Sequence, residues 1–472
     1  MKKIARSIMR ITGRTPSRLP HMTPLAACLA AALALTAPPA TAFNRVVQNC
    51  NDNGSGSLRE IVTAQANNGD TVDLSQLACS TITLTTGQIT VIVNNLTLTA
   101  GPGATGSMTI DGGLSAGHHN RVLAHTGTGT LSVQGLTITD AKYDSGPAFQ
   151  GGCIFSSGNV DLTGSTVSHC AVVGSAASNS QGTAHGGGIF AFGNVHLIGS
   201  TVTGNVAQAI GTNFALGGGI DSVGNVVALY STISHNKAVA AAQQRARGGG
   251  LYSNANLNIG YSTISNNQAQ VDGGVYLKQG SGSHTAVITN STISGNSSSD
   301  QSIGSGGIND VNVPLTLSNS TIAFNTSANS TFPAGLFVGA AANLQSSIIA
   351  DNLAAGVPSD LLTTGVLTGA DNLIYHSNSS LAPLTNTIVG QCPKLGPLAD
   401  NFASPPASQT HALLPNSPAI NTGNNALGLM NDERGAPFLR VFGIAADIGA
   451  YEWQGGAVDP IFKSGFESGC DE

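Results

Sequence analysis

A short string returns through the middle of the chain at a nearly constant interval. It reads GSTVSHC from Gly164, GSTVTGN from Gly199, YSTISHN from Tyr230, YSTISNN from Tyr261, NSTISGN from Asn290, NSTIAFN from Asn319 and, more weakly, QSSIIAD from Gln345. Successive starts lie 35, 31, 31, 29, 29 and 26 residues apart. A second signature precedes each copy: GGCI ending at Ile154, GGGI at Ile189 and Ile220, GGGL at Leu251, then GGV at Val275, GGI at Ile308 and GL at Leu336. Between the two lies a third short apolar segment, such as Asn159–Leu162 or Asn256–Ile259. Self-similarity at this period is the mark of a stacked-repeat architecture.

Three short strand-like segments per period cannot form a hairpin sandwich, because evenly spaced hairpin turn signals are missing. They can stack, each pairing in parallel with its counterpart one coil on. The expected fold is all-β: a single-stranded right-handed parallel β-helix, with a short N-terminal capping helix and an irregular C-terminal cap. Val167, Val202, Ile233, Ile264, Ile293, Ile322 and Ile348 would form one interior column. Ile154, Ile189, Ile220, Leu251, Val275, Ile308 and Leu336 would form another. Between residues 80 and 350 there is room for roughly nine coils at ~4.8 Å each. Asn205, Asn236, Asn267, Asn296 and Asn325 recur at one position and are expected to stack as a structural amide ladder, with Cys170 in their place one coil earlier. The sequons at Asn290 and Asn319 follow from the repeat and are read as structural.

Composition agrees with a solenoid surfaced by small polar side chains. Only 9% of the 472 residues are charged, and 60 are Gly. A net charge of −6 offers no basic footprint for nucleic acid. Residues 1–42 read as a signal peptide: a basic n-region from Lys2 to Arg18, an apolar run from Leu25 to Leu35, and a small-residue site at Ala40-Thr41-Ala42. No later run is long enough to span a bilayer as a helix. Six cysteines remain, and nearest-neighbour pairing would give Cys50–Cys79, Cys153–Cys170 and Cys392–Cys470, one of 15 possible pairings. No zinc-type spacing is present, and neither metal nor cofactor is expected.

The ends break the repeat. Residues 43–80 are read as an N-terminal cap, with Ser57-Leu58-Arg59-Glu60 as a capping box and Leu58, Ile61, Val62 and Gln65 on one helical face. The β-helix is assigned to 81–380, a C-terminal module to 381–454 and a tail to 455–472. Asp432, Glu433, Arg434, Asp447 and Glu452 cluster in that module, as a salt-bridged cap or as a carboxylate site. The segments between each ladder Asn and the next Gly triplet vary most and should emerge on one side of the rod. Tyr143, Phe149, His185, Phe214, Arg245 and Arg247 are the candidate binding residues there.

Two runs carry family resemblances. GSLREIVTAQANNGDTV, from Gly56, resembles the CSLREA-type N-terminal segment of exported bacterial β-helix proteins, with Gly56 where Cys is usual. SPAIN, DERG and ADIGAYE, from Ser417, Asp432 and Ala446, resemble the choice-of-anchor Q domain that follows right-handed β-helices. The repeats themselves look like the GGAI and FxxN repeats of polymorphic outer-membrane proteins, with Phe mostly replaced by Ile or Val. The resemblance implies an exported bacterial cell-envelope or extracellular protein with no defined enzymatic activity. IFKSGFESGCDE looks like a short sorting or anchoring end.

Parallel β-helices also host pectin-degrading enzymes, so fold alone does not decide function. No Glu occurs between Glu60 and Glu433, and no adjacent Asp pair occurs. Asp140 and Asp144 beside Lys142 come nearest to a lyase set, while Asp221 and Asp272 stand isolated in the sequence. The balance favours a non-catalytic, adhesin-like or glycan-binding rod facing a glycan or host surface. A polysaccharide lyase or hydrolase, and a structural coat or biofilm component, are the alternatives.

Overall fold

A computed structural model describes residues 42–106, 108–146, 148–176, 182–241, 246–280, 282–401 and 408–455. The residues read as a signal peptide, apart from Ala42, lie outside these, as do Arg245, Cys470 and the tail beyond Gly455.

Alternation at period two drives one side chain of each pair inward and the other outward. Strands as short as three residues can therefore seal a dry interior only by stacking on equivalent strands above and below. The chain does this as a parallel β-solenoid of right-handed type, with about 11 turns. One sheet has twelve strands, from Asn44–Val46 to Ala342–Gln345 and Leu367–Ala370. A second has ten, starting at Ile89–Val91 and ending at Leu361–Thr363. The third carries the Ser-Thr-Ile strands.

Both aliphatic columns are in register. Ile138, Val167, Val202, Ile233, Ile264, Ile293 and Ile322 face their counterparts in turn, and Ile154 through Leu336 do the same in the second sheet. All are buried in one continuous core. Ile348 departs from the expected column. Ile322 pairs with Ile349, and Ile348 faces Thr321 instead. The last clear repeat therefore starts at Ser346, and the one-residue slip turns Ile348 to the outer face. There it packs against Leu395, Leu413 and Ile448 in a separate cluster.

The amide ladder runs along a turn. Asn205 Nδ2 donates to Asn236 Oδ1 at 3.0 Å, and the same bond links Asn236 to Asn267, Asn267 to Asn296 and Asn296 to Asn325. Asn352 extends it, and Asp360 closes it by accepting from both the backbone N–H and Nδ2 of Asn352. At the other end Asn205 Oδ1 accepts from the backbone N–H of Cys170, which is bonded to Cys153 in a disulfide. Cys50 and Cys79 form another disulfide.

At the N-terminus Ser57 accepts from the Glu60 N–H, and Leu58, Ile61 and Val62 are buried. Gln65 is exposed instead, because the helix opens into a π turn at Ile61–Gln65 and rotates that position outward, where Gln65 bonds Glu60. At the far end Leu381 and Leu384 pack against the last coils of the core.

The C-terminal residues then run back along the outer face of the third sheet. Thr263 Oγ1 donates to the Gln409 carbonyl, Thr292 Oγ1 donates to Glu433, and Asn290 and Asn319 donate to the carbonyls of Asn431 and Asn424. Both Asn residues are buried in these contacts. Asp432, Glu433, Arg434, Arg440, Asp447 and Glu452 are buried in it, and four of them form two ion pairs. Asp432 meets Arg434 at 2.6 Å, and Arg440 meets Glu452 at 2.9 Å. Arg434 is also held between the rings of Phe438 and Tyr451. Burial raises the Glu433 carboxyl well above its usual range, and the nearby Asp432 adds to this.

Candidate functional site

The second sheet turns one row of side chains outward, one residue after each Gly-Gly-Gly-Ile. In register these are Phe155, Phe190, Asp221, Tyr252, Tyr276, Asn309 and Phe337. Beside it stands a four-stranded parallel sheet made of Phe149–Gln150, Ala184–His185, Ala215–Leu216 and Ala246–Arg247. The Gly triplets join the two at close quarters. A Cβ on Gly187 would lie 2.1 Å from the carbonyl oxygen of Gly218 in the next coil, so no side chain fits there.

This small sheet changes the expected picture of solvated loops. Its inward residues, with Tyr143, Val172, Ala207, Ala209, Ala238 and Ala240, make a second apolar cluster. Tyr143 and Phe149 are buried in it and so do not face a ligand. Phe214 is exposed, and Arg245 lies outside the described residues. His185 and Arg247 are the two candidates brought beside the outward row.

Stacking also pairs residues that stand alone in the sequence. His185 Nδ1 lies 2.6 Å from Asp221 Oδ2, across 36 positions. Asp221 is buried, and that burial raises its pKa against the opposing pull of His185. The His185 side chain is 26% exposed, and among the described residues no hydrogen bond engages its Nε2. Arg247 meets Asp272 at 3.2 Å, lies over the Tyr276 ring, and shares Asp272 with Asn309 Nδ2. Burial lifts Asp272 to about 6, with Arg247 opposing. Tyr252 and Tyr276 stack at 5.3 Å.

Next to the His185–Asp221 pair, rings pack around the buried Phe190, and Phe192 reaches solvent. Phe155 and Phe190 stack at 6.1 Å, Phe192 stands edge-on to Phe190 at 5.0 Å, and His185 sits edge-on to Phe190 at 5.5 Å. Phe192 is 49% exposed. The Arg121 guanidinium caps this end, 5.2 Å from the Phe155 ring centre. The outward row is the candidate feature that sequence reasoning missed, although its position after each Ile was there to be read.

Chemically the site offers an apolar ring surface and an imidazole nitrogen held in one orientation. If Nδ1 carries the proton toward Asp221, Nε2 is a free acceptor. Asp140 and Asp144 are engaged elsewhere. Asp140 accepts from Ser115, and Asp144 contacts both His119 and Lys142. Among the described residues no three His, Cys, Asp or Glu side chains group closely enough to hold a metal ion.

The crystal structure of the pectate lyase Pel9A is similar in shape, with a TM-score of 0.47 and 14% identity over 87% of this chain and 96% of that one. No family model and no curated protein matches the sequence.

Proposed function

We propose that this chain is an exported, extracellular or cell-surface β-solenoid that binds glycans on the flank built by Phe155, Phe190, Phe192, His185 and Asp221. The observation that carries this reading is the exposed Phe192 ring, packed on Phe190 and set beside an imidazole with a free nitrogen. Sugar rings present an apolar C–H face and a rim of hydroxyls. A binding site for them needs a ring to stack on and a few fixed polar groups at its edge. Phe192 supplies the first and His185 Nε2 the second. The disulfides at Cys50–Cys79 and Cys153–Cys170 are compatible with life outside the cytosol. In this reading the choice-of-anchor-like module and the signal segment place the rod at the bacterial envelope.

The experiment is a glycan array with the mature chain, followed by calorimetric titration of any glycan retained. Saturable binding that weakens at least tenfold in Phe192→Ala supports the reading, and an empty array refutes it. A polysaccharide lyase or hydrolase is the second reading, favoured by the fixed His185 base. It expects cleavage of an acidic polysaccharide that disappears in His185→Gln.

A further inference from the structure

A second site lies between the rod and the C-terminal module, on the opposite side of the third sheet from the core. A cavity of about 340 Å³ opens there, lined by Asn266, Ser294, Phe324, Pro397, Gln409 and His411. Its floor holds a hydroxyl and an imidazole in direct contact: Ser294 Oγ lies 2.8 Å from His411 Nε2. The other imidazole nitrogen, Nδ1, lies 2.7 Å from the carbonyl oxygen of Gly396.

That second contact fixes the chemistry. A carbonyl only accepts, so Nδ1 must carry the proton, and Nε2 is then the bare nitrogen facing Ser294. The serine donates to it. This is the polarity a nucleophile–base pair requires, with a backbone carbonyl orienting the base. The antiparallel strands Leu395–Ala399 and Thr410–Leu413 hold Gly396 and His411 in place, and the Phe324 ring packs 4.8 Å from the imidazole. Burial holds His411 down at about 4, so the imidazole is neutral at pH 7 and its bare nitrogen is available to the serine hydroxyl. Asn266 adds a side-chain amide to the cavity wall, and among the described residues no hydrogen bond engages its Nδ2.

We infer that this cavity is an acyl-ester hydrolysis site, with Ser294 as nucleophile, His411 as general base and acid, and the Asn266 amide as a donor to the carbonyl oxygen. The substrate class is a small acyl ester of an alcohol, such as an O-acetyl group. In the first half-reaction Ser294 Oγ bonds to the acyl carbon while its proton moves to His411 Nε2. The C–O bond to the alcohol then breaks, and the alcohol leaves with that proton. In the second, water gives a proton to His411 and attacks the acyl carbon. The bond to Ser294 breaks, and Oγ recovers the proton. Ester and water become acid and alcohol, and no redox partner is needed. This activity goes beyond glycan binding and sits on a different flank, so either can fail without the other.

The test starts with the unaltered protein. A fluorophosphonate probe followed by peptide mass spectrometry should mark Ser294 and spare Ser265, its neighbour one coil earlier in the same row. Hydrolysis of p-nitrophenyl acetate by the same protein should fall at least about 100-fold in Ser294→Ala. That variant should fold, because Ala323 already occupies the equivalent place in the next coil. Absence of a Ser294 adduct on the folded protein, or hydrolysis that survives Ser294→Ala, would overturn the inference.

Discussion

Thr166, Thr201 and Thr232 stand half-buried on the outer face of the third sheet, whereas Thr263, Thr292 and Thr321, the next members of the same column, are buried. The repeat is the same in both stretches. What differs is the C-terminal module, which lies over the later coils and brings Glu433 onto Thr263 and Thr292. The second sheet makes the opposite choice. Its outward row is built from Phe155, Phe190, Tyr252 and Tyr276 and keeps Phe192 and His185 in reach of solvent. A coil stack therefore leaves its flanks undecided. One is closed by a module that carries buried charge, and the other packs most of its outward row against itself and leaves Phe192 and His185 in reach of solvent.

Breaking the closed flank should have the largest effect. Arg440→Met strands the buried Glu452 carboxylate and should cost about 3–5 kcal/mol, read as a lower denaturation midpoint and new proteolysis within 408–455. The interior shared by both flanks comes next. Asn267→Ala removes the acceptor for Asn236 N–H and Nδ2 and the donor to Asn296, and should cost roughly 2–3 kcal/mol.

A pH effect of smaller size should sharpen the contrast. Asp310 points into the core behind the open flank, and burial raises its carboxyl to about 7. A carboxyl raised on folding binds its proton more tightly in the folded state. Its contribution is fully present below the unfolded value near 4 and is lost as pH rises through about 7. Stability should therefore fall by roughly 1–3 kcal/mol between pH 5 and pH 8, and Asp310→Asn should flatten that slope in urea titrations. The open flank should respond least. Phe192→Ala should change stability by less than about 0.5 kcal/mol while weakening glycan binding at least tenfold.

The interior was legible in the sequence because each coil repeats it. Two signatures at one period locate both columns and the ladder from Asn205 to Asn325. The slip at Ile348 arose where the repeat shortens and a second Ile follows the first, so that either could fill the column. The alanine cluster was opaque for another reason. Segments such as VAQA from Val206 and KAVA from Lys237 carry too little hydrophobic bulk to stand out from loops, although their Ala residues alternate at period two. That alternation was the signal that Tyr143 and Phe149 would be buried. The His185–Asp221 pair could not be read locally, since 36 residues separate its members and only the register joins them. The position of the module was out of reach altogether, because nothing in DERG or ADIGAYE repeats to say which flank it covers.

Hydrogen–deuterium exchange on the mature chain, with and without a bound oligosaccharide, measures the contrast between the flanks most directly. The expected result is slow exchange at Thr263, Thr292 and Thr321 in both states, with ligand-induced protection confined to the strands carrying His185, Phe155 and Phe190. Protection that appears instead across 408–455, or fast exchange beneath the module, would contradict the assignment of one closed and one binding flank.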